Sequence, residues 1–182
     1  MKSKKKILES IGNFSSDDIS LFESKCSVKH FSKNDILLKY GEFCNSLFYV
    51  VSGFSYQFSC KDVDEVIHEL YLEDDWCFDY LSFVTKKPSQ TIIKAYSDLV
   101  ILEISVASLH ELILQSPSFF QLGSLLAIKF NNDFIESKFT ALERYNHLFS
   151  SKPQLFQSFP LKMIASYLKI SPETLSRIRN VR

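Results

Sequence analysis

The chain has 182 residues, enough for one or two domains with a buried core, and 46% of them are hydrophobic, including 17 phenylalanines. Its 21 basic and 21 acidic residues give a formal net charge of zero. No apolar run is long enough to span a bilayer, and the basic start MKSKKKILES lacks the apolar segment and cleavage site of a signal peptide, so we predict a cytoplasmic protein with no membrane partner.

Four cysteines are spaced 18, 16 and 17 residues apart, at Cys26, Cys44, Cys60 and Cys77. No Cys-x-x-Cys pair occurs, which argues against zinc and against a clustered iron–sulfur site. We therefore predict that each cysteine is a buried free thiol in a reducing compartment, and that the chain binds no metal and no cofactor. A redox-sensing role for the thiols stays open.

The first predicted element in chain order is a helix that begins at a cap, Ser15 or Ser16, and runs to Cys26. From about residue 28 to residue 105, apolar and polar residues alternate and turn residues separate the runs. The predicted strands are residues 46–52, 54–59, 66–72, 91–96 and 99–104. Short strands at near-regular spacing predict an antiparallel roll or sandwich.

A second helix is predicted after Ser105, with Leu109, Leu112 and Ile113 facing inward. After Pro117, apolar residues recur every three or four positions for over 25 residues, which predicts a long helix. One roll does not easily cover such a stripe, so the pattern favours a partner helix, most simply its own copy in a two-fold dimer. Packing against its own domain is the alternative.

The last predicted elements are two short helices around a tight turn, in residues 159–181, FPLKMIASYLKISPETLSRIRNV. Ser171 occupies an N-cap position, Pro172 the first helical position, and Glu173 the first turn, where the helix dipole favours negative charge. The faces expected to pack together carry Leu161, Ile164, Ala165 and Leu168 on the first helix and Leu175 and Ile178 on the second. This pattern is typical of a helix-turn-helix that enters the DNA major groove, although an ordinary helical hairpin with a solvated charged face also fits it.

Charge is distributed unevenly along the chain. Residues 141–182 contain two acids and seven basic residues, namely Arg144, Lys152, Lys162, Lys169, Arg177, Arg179 and Arg182. The C-terminal part therefore carries a net charge of +5, and residues 1–140 carry −5. A basic end on a neutral protein favours a polyanion, such as double-stranded DNA, as the partner of that end.

The order of roll, long helix and terminal helix pair resembles the bacterial cyclic-AMP receptor/Fnr (Crp/Fnr) regulator family over nearly the whole chain. The roll signature of that family is a glycine, a gap, an apolar run and a second glycine, and residues 40–53, YGEFCNSLFYVVSG, are similar to it. Residues 141–145, ALERY, resemble the junction that follows the family's dimer helix. The most specific match is residues 171–177, SPETLSR, which resemble the start of the family's recognition helix.

The resemblance implies an α+β fold with an N-terminal antiparallel β-roll of the cyclic-nucleotide-binding-like jelly-roll type. Helices flank the roll, and a long dimerisation helix and a C-terminal helix-turn-helix follow it. The implied domains are residues 1–116 for the roll, 117–140 for the dimerisation helix and 141–182 for the helix-turn-helix DNA-binding domain.

The resemblance also assigns residues to DNA. Glu173 and Arg177 match the positions that read base edges in the family, and their chemistry suits cytosine N4 and guanine O6 and N7, respectively. Pro172 stands where the family often has an arginine, and Lys169 stands where it usually has a turn glycine, at a strain of about 1 kcal/mol if the backbone there is left-handed. The residues expected to position the protein on phosphates are Lys162, Ser171, Thr174 and Arg179.

The ligand pocket departs from the family pattern. Members that bind cyclic nucleotides use a Gly-Glu pair on a short helix, which admits the phosphate to the backbone, and a later arginine that neutralises it. Here Phe78 replaces the glycine, Asp79 is a shortened glutamate, and Ser89 or Gln90 takes the place of the arginine. We therefore predict no binding of cyclic AMP in the family's manner. The pocket is either filled by aromatic side chains from Trp76, Phe78, Tyr80 or Phe83, or accepts an unidentified small-molecule effector.

These observations predict a sequence-specific DNA-binding transcriptional regulator that acts as a homodimer. The alternative is a ligand sensor or scaffold that keeps the cyclic-nucleotide-binding fold without binding DNA. We do not expect an enzyme, because His30, His68, His110 and His147 show no metal-binding spacing, and the sequence has neither a glycine-rich phosphate loop nor a nucleophile elbow.

Overall fold

Two four-stranded antiparallel sheets form the N-terminal part of the protein in the computed structural model, which describes residues 4–62, 64–127 and 139–180. The strands are β1 Ser27–Phe31, β2 Ile36–Leu38, β3 Ser46–Ser52, β4 Ser55–Lys61, β5 Asp64–Tyr71, β6 Trp76–Cys77, β7 Ile92–Ala95 and β8 Leu99–Ser105. The strand order is β1-β8-β3-β6 in the first sheet and β2-β7-β4-β5 in the second. Each of the five predicted strands overlaps one of these, and the predicted antiparallel roll is confirmed.

Helices stand before, within and after the roll. They are α1 Lys4–Glu9, α2 Ser16–Lys25, α3 Tyr80–Thr85, α4 Val106–Gln115, α5 Ala141–Ser151, α6 Leu155–Ser158, α7 Leu161–Tyr167 and α8 Pro172–Asn180. Both predicted caps are present: the Ser15 hydroxyl accepts from Asp18 N, and the Ser105 hydroxyl accepts from Ser108 N. The short range of N-cap hydrogen bonds explains why the sequence reveals them.

The region of the predicted long helix begins with a 3-10 helix, not with the expected α-helix. Pro117–Gly123 forms a 3-10 helix, and residues 124–127 continue it as α-helix. Phe119 and Leu122 are buried in the roll core, so the start of the apolar stripe packs against its own domain. Residues 128–138 lie outside the described residues, and the predicted dimerisation helix of residues 117–140 stays a prediction.

The roll core lies between the two sheets and extends under the flanking helices. Val50, Ile93 and Ile101 are fully buried between the sheets, and Phe22 of α2 and Leu112 of α4 join the same cluster. Inward positions recur every second residue along the strands and every third or fourth along the helices, which is why periodicity identified them.

Strand β4 is buried on both faces. Ser55 and Gln57 are buried, and Tyr56 and Phe58 on the other face are buried too. The aromatic face packs in a second hydrophobic cluster with residues of the C-terminal helices, including Leu148, Phe159 and Ile164, rather than in the roll core. The polar face of this strand therefore belongs to the roll, and its aromatic face supports the C-terminal part.

The four cysteines are free, but they differ in exposure. Cys44 and Cys77 are buried, and burial raises the pKa of the Cys44 thiol to about 11 and that of Cys77 further. Cys26 is half-buried, and Cys60 is exposed near the end of β4. The prediction of four buried thiols is therefore wrong for Cys60, because β4 is buried only along its first four residues and its last two are exposed.

In the part of the chain that the structure describes, no group of His, Cys, Asp and Glu side chains is arranged to hold a metal ion. Within the same residues, no helix combines the length and hydropathy needed to cross a bilayer.

Candidate functional site

The turn between α7 and α8 is closed by a hydrogen-bonding pattern typical of helix ends. Lys169 has a φ of 57°, in the left-handed region. Its N–H donates to the Ser166 carbonyl at 2.9 Å, and the Ile170 N–H donates to the Ala165 carbonyl at 3.0 Å. This pair of bonds is a Schellman motif, which usually has glycine at the left-handed position. The left-handed conformation, which the sequence left open at Lys169, is therefore present.

Helix α8 is capped as its sequence predicts. The Ser171 hydroxyl accepts from the Thr174 backbone N–H at 3.2 Å, and the two hydroxyl oxygens lie 3.2 Å apart. A hydrogen bond from the Ser171 side chain lowers the pKa of Glu173, and the Glu173 backbone N–H and the Arg177 charge act in the same direction. Glu173 is therefore a carboxylate at neutral pH, held at the start of the helix.

The two helices pack through their apolar faces. Ile164 and Ala165 of α7 are fully buried, Leu168 follows at the helix end, and Leu175 of α8 is 1% exposed. The small side chain of Ala165 lets the helices approach closely. This contact fixes the orientation of α8 relative to α7.

The opposite face of α8 is open to solvent. Glu173 and Arg177, one turn apart, are both exposed on this face. Arg179 is also exposed, but it lies two residues beyond Arg177 on a helix that turns by about 100° per residue, so it projects from a different side of α8. Lys162, on α7, is also exposed, with its Nζ 4.0 Å from the Asp64 carboxylate. The structure thus brings Glu173 and Arg177 together on one face of α8, and Lys162 and Arg179 are exposed elsewhere on the helix pair.

Thr174 and Ser171 differ from these residues in their surroundings. Thr174 is half-buried, and Ser171 is exposed at the helix start. Both hydroxyls take part in the cap of α8. If they also contact phosphate, as predicted, each has a structural role and a binding role.

Of the six basic residues that the structure describes in the C-terminal part, two donate hydrogen bonds to other groups of the protein. Arg144 donates from Nε to the Leu168 carbonyl at 3.0 Å and from Nη1 to the Phe139 carbonyl at 2.7 Å. Lys152 donates to both carboxylate oxygens of Asp75, at 2.7 and 2.8 Å. The excess of positive charge available to a polyanion is therefore smaller than the sequence count suggests.

The remaining basic side chains divide into exposed and undescribed ones. Lys162, Lys169, Arg177 and Arg179 are exposed. Arg182 lies outside the described residues.

The helix pair is fixed to the second sheet by polar and aromatic contacts. The Ile67 N–H of β5 donates to the Ser166 hydroxyl of α7 at 3.0 Å. The ring centroid of Phe159 lies 5.9 Å from that of Phe54 and 4.9 Å from that of Tyr96. Together with the Lys152–Asp75 ion pair, these contacts hold the C-terminal helices on the roll while the outer face of α8 stays exposed.

The predicted ligand pocket is closed by its own side chains. Phe78 is buried in the roll core, and its ring centroid lies 5.6 Å from that of Phe83. Asp79 is also buried and caps α3, with its Oδ1 accepting from Ser82 N at 3.1 Å. The side chain of Phe78 thus occupies the space that a glycine would leave open, whereas Trp76 and Tyr80 are only half-buried.

Asp79 is the first member of a buried hydrogen-bonded chain. Its Oδ2 accepts from the Ser89 hydroxyl at 2.5 Å and from the Thr91 hydroxyl at 3.1 Å. Gln57 Nε2 donates to the Thr91 hydroxyl at 2.7 Å, and the Tyr71 hydroxyl donates to Gln57 Oε1 at 2.9 Å. We call this set of five side chains the Asp79 network. Every member has its polar atoms paired within the protein, without a cation.

Of the two candidates for the arginine position, Ser89 joins this network, whereas Gln90 is exposed. Ser89 is held there by backbone bonds to the 41–42 turn: Gly41 N donates to the Ser89 carbonyl, and Ser89 N donates to the Glu42 carbonyl. Gly41 itself has a φ of +83°, which glycine adopts without strain. The structure therefore does not bring Gln90 to the pocket.

Sequence reasoning missed several residues that shape the two regions. Gln57, Tyr71 and Thr91 complete the Asp79 network, and Asp75 and Lys152 join the two parts of the chain. The partners are separated by up to 77 residues, and no local pattern marks such pairs. The Ser-x-Thr spacing of Ser89 and Thr91, which puts both hydroxyls on one side of an extended chain, is the local signal that could have suggested a shared partner.

Comparison with known proteins supports the fold. Residues 28–116 match the sequence model of the family described as "Cyclic nucleotide-binding domain". No curated protein matches the chain.

Several solved structures share the fold. The c-di-GMP responsive global regulator CLP of Xanthomonas campestris is 16% identical, with a TM-score of 0.64 over 91% of this chain and 90% of its own. FixK2 of Bradyrhizobium japonicum is 16% identical, with a TM-score of 0.64 over 85% and 83%. A CooA mutant from Carboxydothermus hydrogenoformans is 19% identical, with a TM-score of 0.62 over 96% and 82%.

The chain therefore contains a jelly roll of the cyclic-nucleotide-binding type, as the resemblance at residues 40–53 implied. Its fold is similar to that of these proteins over most of its length.

Proposed function

We propose that this chain is a sequence-specific DNA-binding transcriptional regulator that acts as a homodimer. In this proposal α7 and α8 are a helix-turn-helix, and α8 is its recognition helix. The observation that carries the proposal is the exposed pair Glu173 and Arg177 on one face of a capped helix whose other face is buried through Leu175.

The chemistry of that face suits the major groove. The Arg177 guanidinium has the fork geometry that pairs with guanine O6 and N7, and the Glu173 carboxylate can accept from cytosine N4. Lys162 and Arg179 would neutralise phosphates beside these base contacts, and the Ser171 and Thr174 hydroxyls would approach a phosphate at the start of α8. Contacts to phosphate fix the position of the protein, and contacts to bases supply its specificity.

A homodimer would present two such helices to one side of a duplex. Recognition helices in successive major grooves stand about 34 Å apart, which requires a two-fold arrangement of the chains. The predicted dimerisation helix, residues 117–140, would supply that arrangement through its apolar stripe. Similarity in fold to CLP and FixK2 over most of the chain supports this organisation.

The closed pocket supports DNA binding without a cyclic nucleotide. A cyclic phosphate entering the predicted ligand pocket would meet the buried Asp79 carboxylate and the Phe78 ring. The Asp79 network contains no arginine or lysine that could neutralise the phosphate. The phosphate would then either lie beside the carboxylate of like charge or displace it from its hydrogen bonds. Both are unfavourable in a buried site. We propose that cyclic AMP is not the effector.

The experiment is selection of bound duplexes from a random library with the purified chain and no added nucleotide. We expect an enriched inverted repeat with half-sites one helical turn apart. On that site, Arg177→Ala should cost about 1–3 kcal/mol and relax specificity at one base pair. Lys162→Ala should weaken all sequences alike and reduce the salt slope by about 1, whereas the matched control Lys39→Ala, on the roll, should leave both properties unchanged.

Two results would contradict the proposal. If Arg177→Ala weakens every sequence equally, the residue does not read a base. If no sequence is enriched and transcription of a reporter is indifferent to Arg177→Ala, the chain is better explained as a sensor or scaffold. A saturable calorimetric signal with cyclic AMP would separately refute the absence of cyclic-nucleotide binding.

A further inference from the structure

An apolar groove runs along the roll between α3, α4 and the 3-10 helix Pro117–Gly123. Its volume is about 340 Å³. Apolar side chains make up most of its lining, among them Phe83 and Val84 of α3, Leu109 of α4 and Phe120 of the 3-10 helix. It is separate from the Asp79 network, whose side chains do not line it.

Two basic side chains complete the lining, and the described residues contribute no acid to it. Lys86, directly after α3, and His110 of α4 both line the groove and are exposed. The Lys86 ammonium lies 4.7 Å from the centroid of the Phe83 ring, so the cation stands directly over the apolar surface. Glu111, the next residue of α4, is paired with Lys25 of α2.

Apolar side chains of the groove remain open to solvent. Phe120 is 68% exposed and Val84 is 47% exposed, although both line a concave surface. Exposed apolar surface of this kind commonly marks a binding site, and a volume of about 340 Å³ lies at the small end of the range for small-molecule pockets.

We infer that this groove binds a medium-chain aliphatic monocarboxylate. The apolar lining would take the hydrocarbon chain, and Lys86 with His110 would pair with the carboxylate in the manner of a charge-assisted hydrogen bond. The lining residues offer few polar groups to orient a nucleobase or a sugar, and the Lys86 ammonium argues against a cationic ligand. The chemistry of the groove thus selects an anionic amphiphile.

The position of the groove gives such a ligand a route to the rest of the molecule. Helix α3 is capped by Asp79, and the 3-10 helix forms the first part of the predicted dimerisation helix, residues 117–140, and leads into residues 124–127. The hydrocarbon chain of a ligand bound in the groove would contact both α3 and the 3-10 helix. An effect on DNA affinity rests on the proposed function, but binding of the carboxylate does not.

The test is isothermal titration calorimetry of the full chain, without DNA, using hexanoate, octanoate and decanoate below their micellar concentrations. We expect affinity to rise about fourfold for each added methylene, because each buried methylene contributes a fixed increment to binding. Octanoate should bind about three- to tenfold more tightly than octan-1-ol, which has the same chain without the charge.

Variants locate the site. Lys86→Gln and His110→Gln should each weaken octanoate binding about two- to fivefold and leave octan-1-ol unchanged. Phe120→Ala, at an exposed position where the fold is not at risk, should weaken both ligands. The matched control is Lys87→Gln, which removes the neighbouring charge outside the groove lining and should change neither affinity.

Three results would overturn the inference: no saturable heat with any carboxylate, equal affinity for octanoate and octan-1-ol, or the same loss in Lys87→Gln as in Lys86→Gln. If carboxylates do not bind and Phe120→Glu converts a dimer to a monomer in sedimentation, a second copy of the chain covers the groove. Because the calorimetry contains no DNA, its failure leaves the helix-turn-helix proposal intact, and failure of that proposal leaves the groove intact.

Discussion

Replacing Asp79 with alanine should destabilise the roll strongly. The carboxylate caps α3 through Ser82 N and accepts from the hydroxyls of Ser89 and Thr91 in a buried site. Loss of an N-cap is worth about 1 kcal/mol. Each hydrogen bond to a charged group contributes about 1.5–3 kcal/mol. Removing the buried charge recovers part of this total. We expect a net loss of about 3 kcal/mol in the free energy of unfolding.

The substitution Asp79→Asn should behave differently from Asp79→Ala. The asparagine oxygen can still accept from Ser82 N, and the Ser89 hydroxyl can turn toward the Thr91 carbonyl, 2.9 Å away. The amide group of the new asparagine can then donate to the Thr91 hydroxyl. We therefore expect the free energy of unfolding to fall by only about 1 kcal/mol.

Urea unfolding measures both variants, with Gln90→Ala as an exposed control that should stay within about 0.5 kcal/mol of the parent. The double variant Asp79→Ala/Ser89→Ala should lose less than the sum of the two single changes, because the two groups share a hydrogen bond. A loss below about 1 kcal/mol in Asp79→Ala, or strict additivity in the double variant, would show that the network does not hold the pocket closed.

Three further predictions concern stability. Lys169→Gly should raise the free energy of unfolding by about 0.5–1 kcal/mol in urea, because glycine adopts the left-handed conformation without strain; a decrease would contradict this account. The Lys152–Asp75 pair should show a coupling energy of about 0.5–1 kcal/mol in a double-mutant cycle and weaken with added salt, since both side chains are partly exposed; no coupling at low salt would exclude a role in fixing the C-terminal helices. Hydrogen bonding, chiefly from the Ser116 side chain, lowers the pKa of Asp18 from its ordinary value, so the stabilisation from this carboxylate is complete above the ordinary pKa and is lost as the pH falls through the lowered one. Asp18→Asn should therefore unfold with a smaller change in urea midpoint between pH 6 and pH 3 than the parent, and an equal change would show that the carboxylate does not stabilise the fold.

The strands and caps were predictable because they depend on neighbouring residues. The run at residues 46–52 coincides with β3, and Ser15, Ser105 and Ser171 each bond to a backbone N–H three residues later. Such signals are contained within one turn or one strand. The left-handed backbone at Lys169 could be anticipated for the same reason, since the Schellman motif involves only six consecutive residues.

The pairing of distant groups could not be predicted in this way. Asp79 and Ser89 were both identified as pocket positions, but nothing in the sequence shows that they bond to each other and to Thr91. The charge count in the C-terminal part was correct as a count. It misjudged Arg144 and Lys152, whose partners lie on a helix end and on the turn after β5.

Periodicity alone also leaves open which face of a strand points into which core. Along β4 it separates Tyr56 and Phe58 from Ser55 and Gln57, and an aromatic face usually packs inside its own sheet pair. Here the aromatic face is covered from outside by the C-terminal helices. Only tertiary packing decides between these two arrangements.

Because its two faces belong to two different cores, strand β4 couples substitutions in the roll to substitutions in the C-terminal helices. Substitution at Tyr56 or Phe58 would alter the surface beneath the C-terminal helices, whereas substitution at Ser55 or Gln57 would alter the interior of the roll. Recombination with a relative's C-terminal region would leave aromatic side chains facing water unless complementary residues arrived with it. We therefore expect the two halves to diverge through compensating substitutions at this boundary, and chimaeras made there to require repair on both sides.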